Sequence, residues 1–264
     1  MTEWDPANYV RRSALQESMA SEVLALLYLT GQERVLDIGC GDGRVTAEIA
    51  TRLSNGSILG VDSSHDMIAF AKTHAQLPNL QFTVADAGNL AFHNEFDLIV
   101  SFNVLHWLPD PDAPLRGIRA ALKPSARAQL RLVADGERKS LETVLEETRR
   151  TEKWAPYYNY FCDPYLHLTP GQYAQTAERH GLRVQQIHTA LKSWDFQTRE
   201  DFFAFGQVTF VEWTRVLPAS EKPAFINDVL TNYAQVSANS APLDTTTHPH
   251  TFHFYQMDIT LAPT

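Results

Sequence analysis

From residue 34 onward, apolar positions alternate between short continuous runs and the 3–4 residue spacing of one helix face. RVLDI (34–38) and SILGVD (57–62) are predicted strands flanking a helix, RVTAEIATRL. Ser64 is placed to cap a second helix, HDMIAFAKTHA, before a third strand, LQFTVA. FDLIVSF is a fourth strand, apolar after its one acid; the helix PDAPLRGIRAAL and a fifth strand, AQLRLVA, follow. Repeated strand–helix units with short turns predict an α/β fold on a parallel sheet. Ahead of them, SALQESMASEVLALLYL is expected to be an amphipathic helix capped by Ser13, with Leu15, Met19, Val23, Leu26 and Leu27 on one face.

The pattern changes near residue 135. A helical start gives way to a stretch dense in aromatics, Trp154, Tyr157, Tyr158, Tyr160, Phe161 and Tyr165. In LTPGQYAQTAERHG, Thr169 is the expected N-cap, Pro170 the first helical residue and Gly181 the stop. LRVQQIHTAL is a sixth strand, TREDFFAFG and SEKPAFINDVLTNYAQV are helices, and FHFYQMDITLA alternates as a last, antiparallel strand. The simplest map is a single domain over 1–264. Its cofactor-type core spans about 31–135, with a helical cap from about 1–30, 137–168 and 195–240.

Composition narrows the classes. At 44% hydrophobic and 20% charged residues the chain is globular, not disordered. A net charge of −9 without basic clusters argues against nucleic acid or an anionic membrane as partner. Cys40 and Cys162 share no common setting, so no disulfide is expected and a reduced, cytoplasmic location fits. MTEWDPANYVRR lacks the apolar core of a signal peptide, and no run approaches the ~20 apolar residues of a membrane span.

Candidate chemistry begins at VLDIGCGDGR (35–44), where Gly39, Gly41 and Gly43 end the first strand. A dinucleotide fingerprint needs G-x-G-x-x-G, and the required last glycine is Arg44. Asp37 would also repel a pyrophosphate, whereas it suits a ligand with an ammonium group. S-adenosylmethionine carries an ammonium and a cationic sulfonium. Asp62 ends the second strand, from which a carboxylate can accept ribose hydroxyls; Asp86 ends the third, where one can accept from an adenine amino group. Any one such acid reads as a loop starter; three in order with this turn read as an S-adenosylmethionine site.

VLDIGCGDG, GVDSSHDMI, VADAGNL and FDLIVSFNVLHWL resemble the successive motifs of class I S-adenosylmethionine-dependent methyltransferases, over about residues 33–125. The resemblance implies a Rossmann-like, seven-stranded, mostly parallel sheet with its last strand antiparallel and a helical cap over the active site. It also implies that Asp37 and Gly39 serve the methionine end of the cofactor, Asp62 the ribose and Asp86 the adenine amino group, with Met67 and Ala87 flanking the adenine. Gly41, Gly43, Ser63 and Asn103 complete the expected cofactor set. KPSAR, before the fifth strand, is a turn where the family usually has glycines.

Asn103, His106 and Trp107 in NVLHWLPD follow the fourth strand and should lie at the carboxyl edge of the sheet, where open α/β sheets bind ligands. His106 is the general-base candidate, with a structural role favoured over proton transfer; Trp107 offers an indole N–H, with core packing as the plainer alternative. WDPANYVRRSALQESMASEVL, NVLHWLPD and EKWAPYYNYFCDPY are similar to juvenile hormone acid methyltransferases, and the first two also to trans-aconitate methyltransferase. By that resemblance Gln16 and Trp107 hydrogen-bond a substrate carboxylate.

A carboxylate is already ionised at neutral pH and needs no base, whereas a hydroxyl or ammonium acceptor usually does. The expected reaction is therefore methyl-ester formation on a small organic acid. The aromatic belt, with Trp194, Phe202, Phe203, Phe210 and Trp213, leans toward a hydrophobic one, although most of these residues fit a core of the cap equally. Arg11, Arg12, Arg149 and Arg150, which a polyanion would want, fit solvated helix faces. No metal is expected: His248, His250 and His253 in HPHTFHF lack an acid or cysteine at ligand spacing. Cys162 is expected to be a packed thiol. The competing readings are an O- or N-methyltransferase using His106 as base, a non-catalytic S-adenosylmethionine-binding regulator, and a dehydrogenase.

Overall fold

The computed structural model describes residues 19, 22–163, 165–239 (backbone alone at 237–239) and 250–264. Seven strands form one sheet: β1 Arg34–Ile38, β2 Ser57–Asp62, β3 Leu80–Val84, β4 Phe96–Phe102, β5 Leu122–Ala134, β6 Leu182–Asp195 and β7 Thr251–Pro263. Their order is β3-β2-β1-β4-β5-β7-β6. β1 to β5 pair in parallel and the last strands run antiparallel. The helices are α1 Arg44–Thr51, α2 His65–His74, α3 Asp112–Ala121, α4 Leu141–Arg149, α5 Pro170–Arg179, α6 Arg199–Thr209, α7 Val211–Thr214 and α8 Lys222–Asn239. The expected Rossmann-like architecture is present. Its strand order reverses between β1 and β4, which opens a crevice beyond their carboxyl ends.

The local signals act as the sequence indicates. β1 is short because Gly39 follows at once, and Val35, Leu36 and Ile38 are wholly buried, as a central parallel strand requires. The Ser64 hydroxyl accepts the Met67 amide at the start of α2. Thr169 and Gln172 form a reciprocal capping box on α5. Two boundaries differ. KPSAR is not a free turn: it lies inside β5, where Phe96 pairs with Leu122 and Leu98 with Arg127, so the intervening residues bulge from the ladder. In the N-terminal helix, residues 22–26 are helical but Leu27 to Thr30 are not. Glu33 accepts the Thr30 and Gly31 amides there, giving the backbone an alternative to another helical turn. Ser13 and Leu15 lie outside the described residues.

The chain divides into two compact units. The first runs to Ala134 and includes Leu166–Ala190 and Gln256–Thr264; it holds β1 to β5 and the glycine turn. The second, Asp135–Tyr165 with Leu191–Tyr255, has its own aromatic core. There the indole of Trp213 donates to Glu146 at 2.7 Å, that of Trp154 to Asp228 at 2.9 Å, and the Tyr158 hydroxyl to the Trp213 carbonyl at 3.0 Å. Phe202 and Phe210 are buried with them. These five rings build the unit itself, whereas Tyr157 and Tyr160 are exposed. Arg149 and Arg150 both pair with Glu146. Cys162 is exposed, contrary to expectation: the buried rings of the segment are Trp154 and Tyr158, and the chain past half-buried Phe161 turns outward.

Candidate cofactor and acceptor site

The glycine turn is held from beneath. The amides of Gly39 and Cys40 both donate to the Val61 carbonyl, at 2.7 and 3.0 Å, which ties the end of β1 to the end of β2. Gly39 has φ 76°, and a side chain there would overlap the methyls of Val104. Gly43, at the start of α1, packs close to Phe82 and Ala71. Gly41 differs: it has φ 54°, yet a Cβ there would meet nothing within 4 Å. It faces open space.

Around that space the structure presents acceptors. Asp37 is only 3% exposed, and its carboxylate receives the Thr46 hydroxyl at 2.7 Å. Burial pushes its carboxyl up to about 7; Thr46 opposes the shift and the charge of Asp62 adds to it. Asp62 accepts the Gly41 amide on one oxygen (3.0 Å) and the Ser64 amide on the other (2.9 Å). A carboxylate oxygen can accept more than one hydrogen bond. Ser63 is half-buried between them. Asn103 has φ 62°, its amide donates to the Arg131 carbonyl at 2.8 Å, and its buried Oδ1 has no partner among the described residues. Asp86 lies on an exposed turn, where it accepts the Gly88 amide at 2.8 Å, with half-buried Ala87 beside it. Met67 is 4% exposed and offers little of its own surface.

Asp62 accepts the Gly41 amide beside open space and acts electrostatically on buried Asp37, so the two carboxyls form an acceptor set, and the orphaned Asn103 oxygen at the end of β4 is a further acceptor. The set fits a ligand rich in donors, an ammonium and ribose hydroxyls, and it would repel a pyrophosphate. S-adenosylmethionine meets that description.

Beyond β4, a 3₁₀ turn, Leu105–Trp107, carries the acceptor-site candidates. His106 is buried; its Nδ1 accepts the Val133 amide at 3.3 Å, and its carbonyl accepts the Leu166 amide. Because an amide can only donate, Nδ1 bears no proton and the ring is the neutral Nε2–H tautomer. Burial, helped by His167, depresses its basicity to a pKa of about 3. Trp107 is half-buried, its ring 5.9 Å from that of His106. Gln16 lies outside the described residues.

Three features of this region escaped the sequence reading. Thr46 bonds Asp37 from the first turn of α1; its signal is a small hydroxyl residue three positions after Gly43. Val104 fills the space above Gly39. Arg131 is a lone charge in the otherwise apolar LRLVA of β5, and it is buried. His253 alternates within β7 as a strand residue, His248 lies outside the described residues, and no metal-holding group of His, Cys, Asp and Glu occurs among the described ones.

Residues 35–125 match the family described as "Methyltransferase domain". The chain is 34% identical, over 80% of its length and 79% of the relative's, to trans-aconitate 2-methyltransferase of Deinococcus radiodurans. It is 41% identical to the Escherichia coli protein of the same name over 42% of this chain and 43% of that one. In fold it is similar to phosphoethanolamine N-methyltransferase 2 of Haemonchus contortus, solved with S-adenosylhomocysteine. That match has a TM-score of 0.61 and 16% identity, over 98% of this chain and 57% of the other.

Proposed function

The chain belongs to the class I S-adenosylmethionine-dependent methyltransferases, and on that footing we propose that it methylates the carboxylate of a small organic acid to give a methyl ester. The observation that carries this reading is the state of His106. His106, next to Trp107 in the turn after β4, is buried, accepts the Val133 amide on Nδ1 and is too weak a base to take up a proton at neutral pH. A hydroxyl or ammonium acceptor gets no help from it, whereas a carboxylate needs none. The relatives named for trans-aconitate methylation point the same way.

Bound S-adenosylmethionine supplies an electrophilic methyl group on a sulfonium, a leaving group that needs no activation. Asp37 and Gly39 would hold its methionine end, Asp62 and Ser63 its ribose, and Asp86, Ala87 and Met67 its adenine. Gly41 and Gly43 shape the turn, and Asn103 offers its unpartnered oxygen. The Trp107 indole and the Gln16 amide would orient the acceptor by neutral N–H donors, which fix a carboxylate without cancelling its charge. A guanidinium there would withdraw the charge that makes it nucleophilic. Five rings of the aromatic belt are committed to the second unit, so they supply no argument for an apolar acid over a polar one.

Two predictions test this. Trp107→Phe removes one hydrogen bond to a charged group, about 1.5–3 kcal/mol, so KM for the acid should rise roughly ten- to a hundredfold with S-adenosylhomocysteine binding unchanged. With both substrates saturating, kcat should be flat across about pH 6–9, because neither His106 nor the carboxylate titrates there. A kcat that climbs through the histidine range in the wild type and not in His106→Asn would instead make His106 the base.

A further inference from the structure

We propose that Thr46 is a positioning residue for the cofactor site: its hydroxyl holds Oδ2 of Asp37, leaves Oδ1 to receive the cofactor's ammonium, and favours the ionised carboxyl that the ammonium requires. Thr46 is the third residue of α1 and is wholly buried. The other buried residues of that helix, Ile49 and Ala50, are apolar. Valine has nearly the shape of threonine, so packing alone asks for no hydroxyl at this position. A helical threonine commonly turns its hydroxyl back to a carbonyl of the preceding turn. This one reaches across to β1 instead and donates to Asp37 Oδ2 at 2.7 Å, while Oδ1 takes no hydrogen bond among the described residues. The glycine turn between the two residues fixes the approach. Its Gly39 and Cys40 amides are tied to the Val61 carbonyl, and Gly43 packs close to Phe82 and Ala71 as α1 begins.

The surroundings of Asp37 otherwise oppose its charge. Burial does so, and the Asp62 carboxylate at the end of β2 adds repulsion. Cys40, in the glycine turn, offers no balancing charge, because burial and these two carboxyls push its thiol well up and keep it neutral. Of the groups that act on Asp37 among the described residues, Thr46 alone favours the anion. A hydroxyl that donates to a carboxylate stabilises the ionised form over the protonated one. An incoming ammonium then meets a negative oxygen rather than a carboxyl still holding its own proton. Thr46 thereby lowers the pH above which the empty site accepts a cation. The inference rests on the assignment of Asp37 to the methionine end of the cofactor, and not on the identity of the acceptor.

The test compares full-length wild type, Thr46→Val and Thr46→Ser, with S-adenosylhomocysteine as the probe. Loss of the hydroxyl should move the ionisation of Asp37 up by about one pH unit. Kd in Thr46→Val should then be about tenfold weaker than in the wild type at pH 6.5 and within about twofold of it at pH 8.5, with Thr46→Ser close to the wild type at both. A residue needed only for packing would change Kd by the same factor at every pH. A second reading needs no ligand. Because the folded carboxyl is raised to about 7, its contribution to stability falls as pH rises and stops falling near that pH. Measured as Tm relative to Asp37→Asn in the same background, that fall should end near pH 7 in the wild type and run on to about pH 8 in Thr46→Val. Should Thr46→Val fail to fold, Thr46→Ala carries both measurements. A fall that ends at the same pH in both backgrounds overturns the proposal by itself. One that moves while Asp37→Asn binds S-adenosylhomocysteine as tightly as the wild type overturns it instead through the assignment of Asp37 to the cofactor.

Discussion

Asp37→Asn is expected to abolish S-adenosylhomocysteine binding and, above neutral pH, to make the ligand-free protein more stable than the wild type. Both effects follow from one buried carboxyl. With its ordinary value of 3.8 raised to about 7, the folded protein keeps a proton here that the unfolded chain has released. The sign follows from linkage. Between about pH 4 and 7 the folded state binds more protons, so this group's contribution to stability falls as pH rises, by roughly 4 kcal/mol over the whole window. Asparagine has nearly the same shape and still accepts the Thr46 hydroxyl, yet it carries no charge to bury. Its amide must find an acceptor, at about 1–3 kcal/mol if it does not. The net gain in thermal stability should therefore be clear at pH 8 and vanish by pH 5.

Binding moves the opposite way. An ammonium set against a buried neutral amide loses the charge that balances it, about 3 kcal/mol or more, which is over a hundredfold in Kd. In the wild type the carboxyl must ionise to receive the ligand, so Kd should worsen roughly tenfold per pH unit below about 7 and level off above it. Calorimetric titration and melting curves at pH 5, 6.5 and 8 measure all of this. Equal destabilisation of Asp37→Asn at every pH would mean that burial does not raise this carboxyl, and binding that persists would mean that Asp37 faces no cation.

The second large effect separates two glycines two residues apart. Gly39→Ala sets a methyl against Val104 and forces alanine to φ 76°. Overpacking and left-handed strain together cost about 3 kcal/mol, and the displaced residue is Val104, next to Asn103 and in the turn that leads to Trp107. Both stability and acid turnover should fall. Adding Val104→Ala removes the obstructing methyls and should restore most of the stability, a coupling that a double-mutant cycle reads directly. Gly41→Ala meets nothing within 4 Å and bears only the left-handed strain of about 1 kcal/mol. It should fold, and its loss should appear in S-adenosylhomocysteine affinity, because its methyl projects into the space the ligand needs. If Gly41→Ala binds as tightly as the wild type, that space is not the ligand's.

How much of this was legible depends on where the signal lies. The parallel sheet declares itself because its strands are buried on both sides, so RVLDI and FDLIVSF are largely apolar runs, followed by Gly39 and by Asn103. Caps such as Ser64 and Thr169 are equally plain, since they bond within their own turn. What the sequence hides is contact between distant residues. Nothing local tells that Arg131 will find Asp258, 127 positions away, or that Val133 will occupy His106. KPSAR has the composition of a turn, yet flanking pairs in β4 draw it into a strand as a bulge. Cys162 sits among aromatics in sequence but outside their packing, because a neighbour in the chain need not be a neighbour in the core. The acids at the ends of the first three strands were readable in order; the strain at Asn103 and its orphaned oxygen were not, since they arise from how β4 ends.

Methyl transfer from isotopically labelled S-adenosylmethionine to a panel of carboxylic acids, with their matched alcohols and amines, tests the central claim most directly when the products are then treated with mild alkali. The panel should run from apolar mono-acids to tricarboxylates. The account predicts label on one or more acids, none on the matched alcohols and amines, and release of that label as methanol, the mark of a methyl ester. Label that transfers but survives alkali, or that appears on an alcohol or amine, would contradict it.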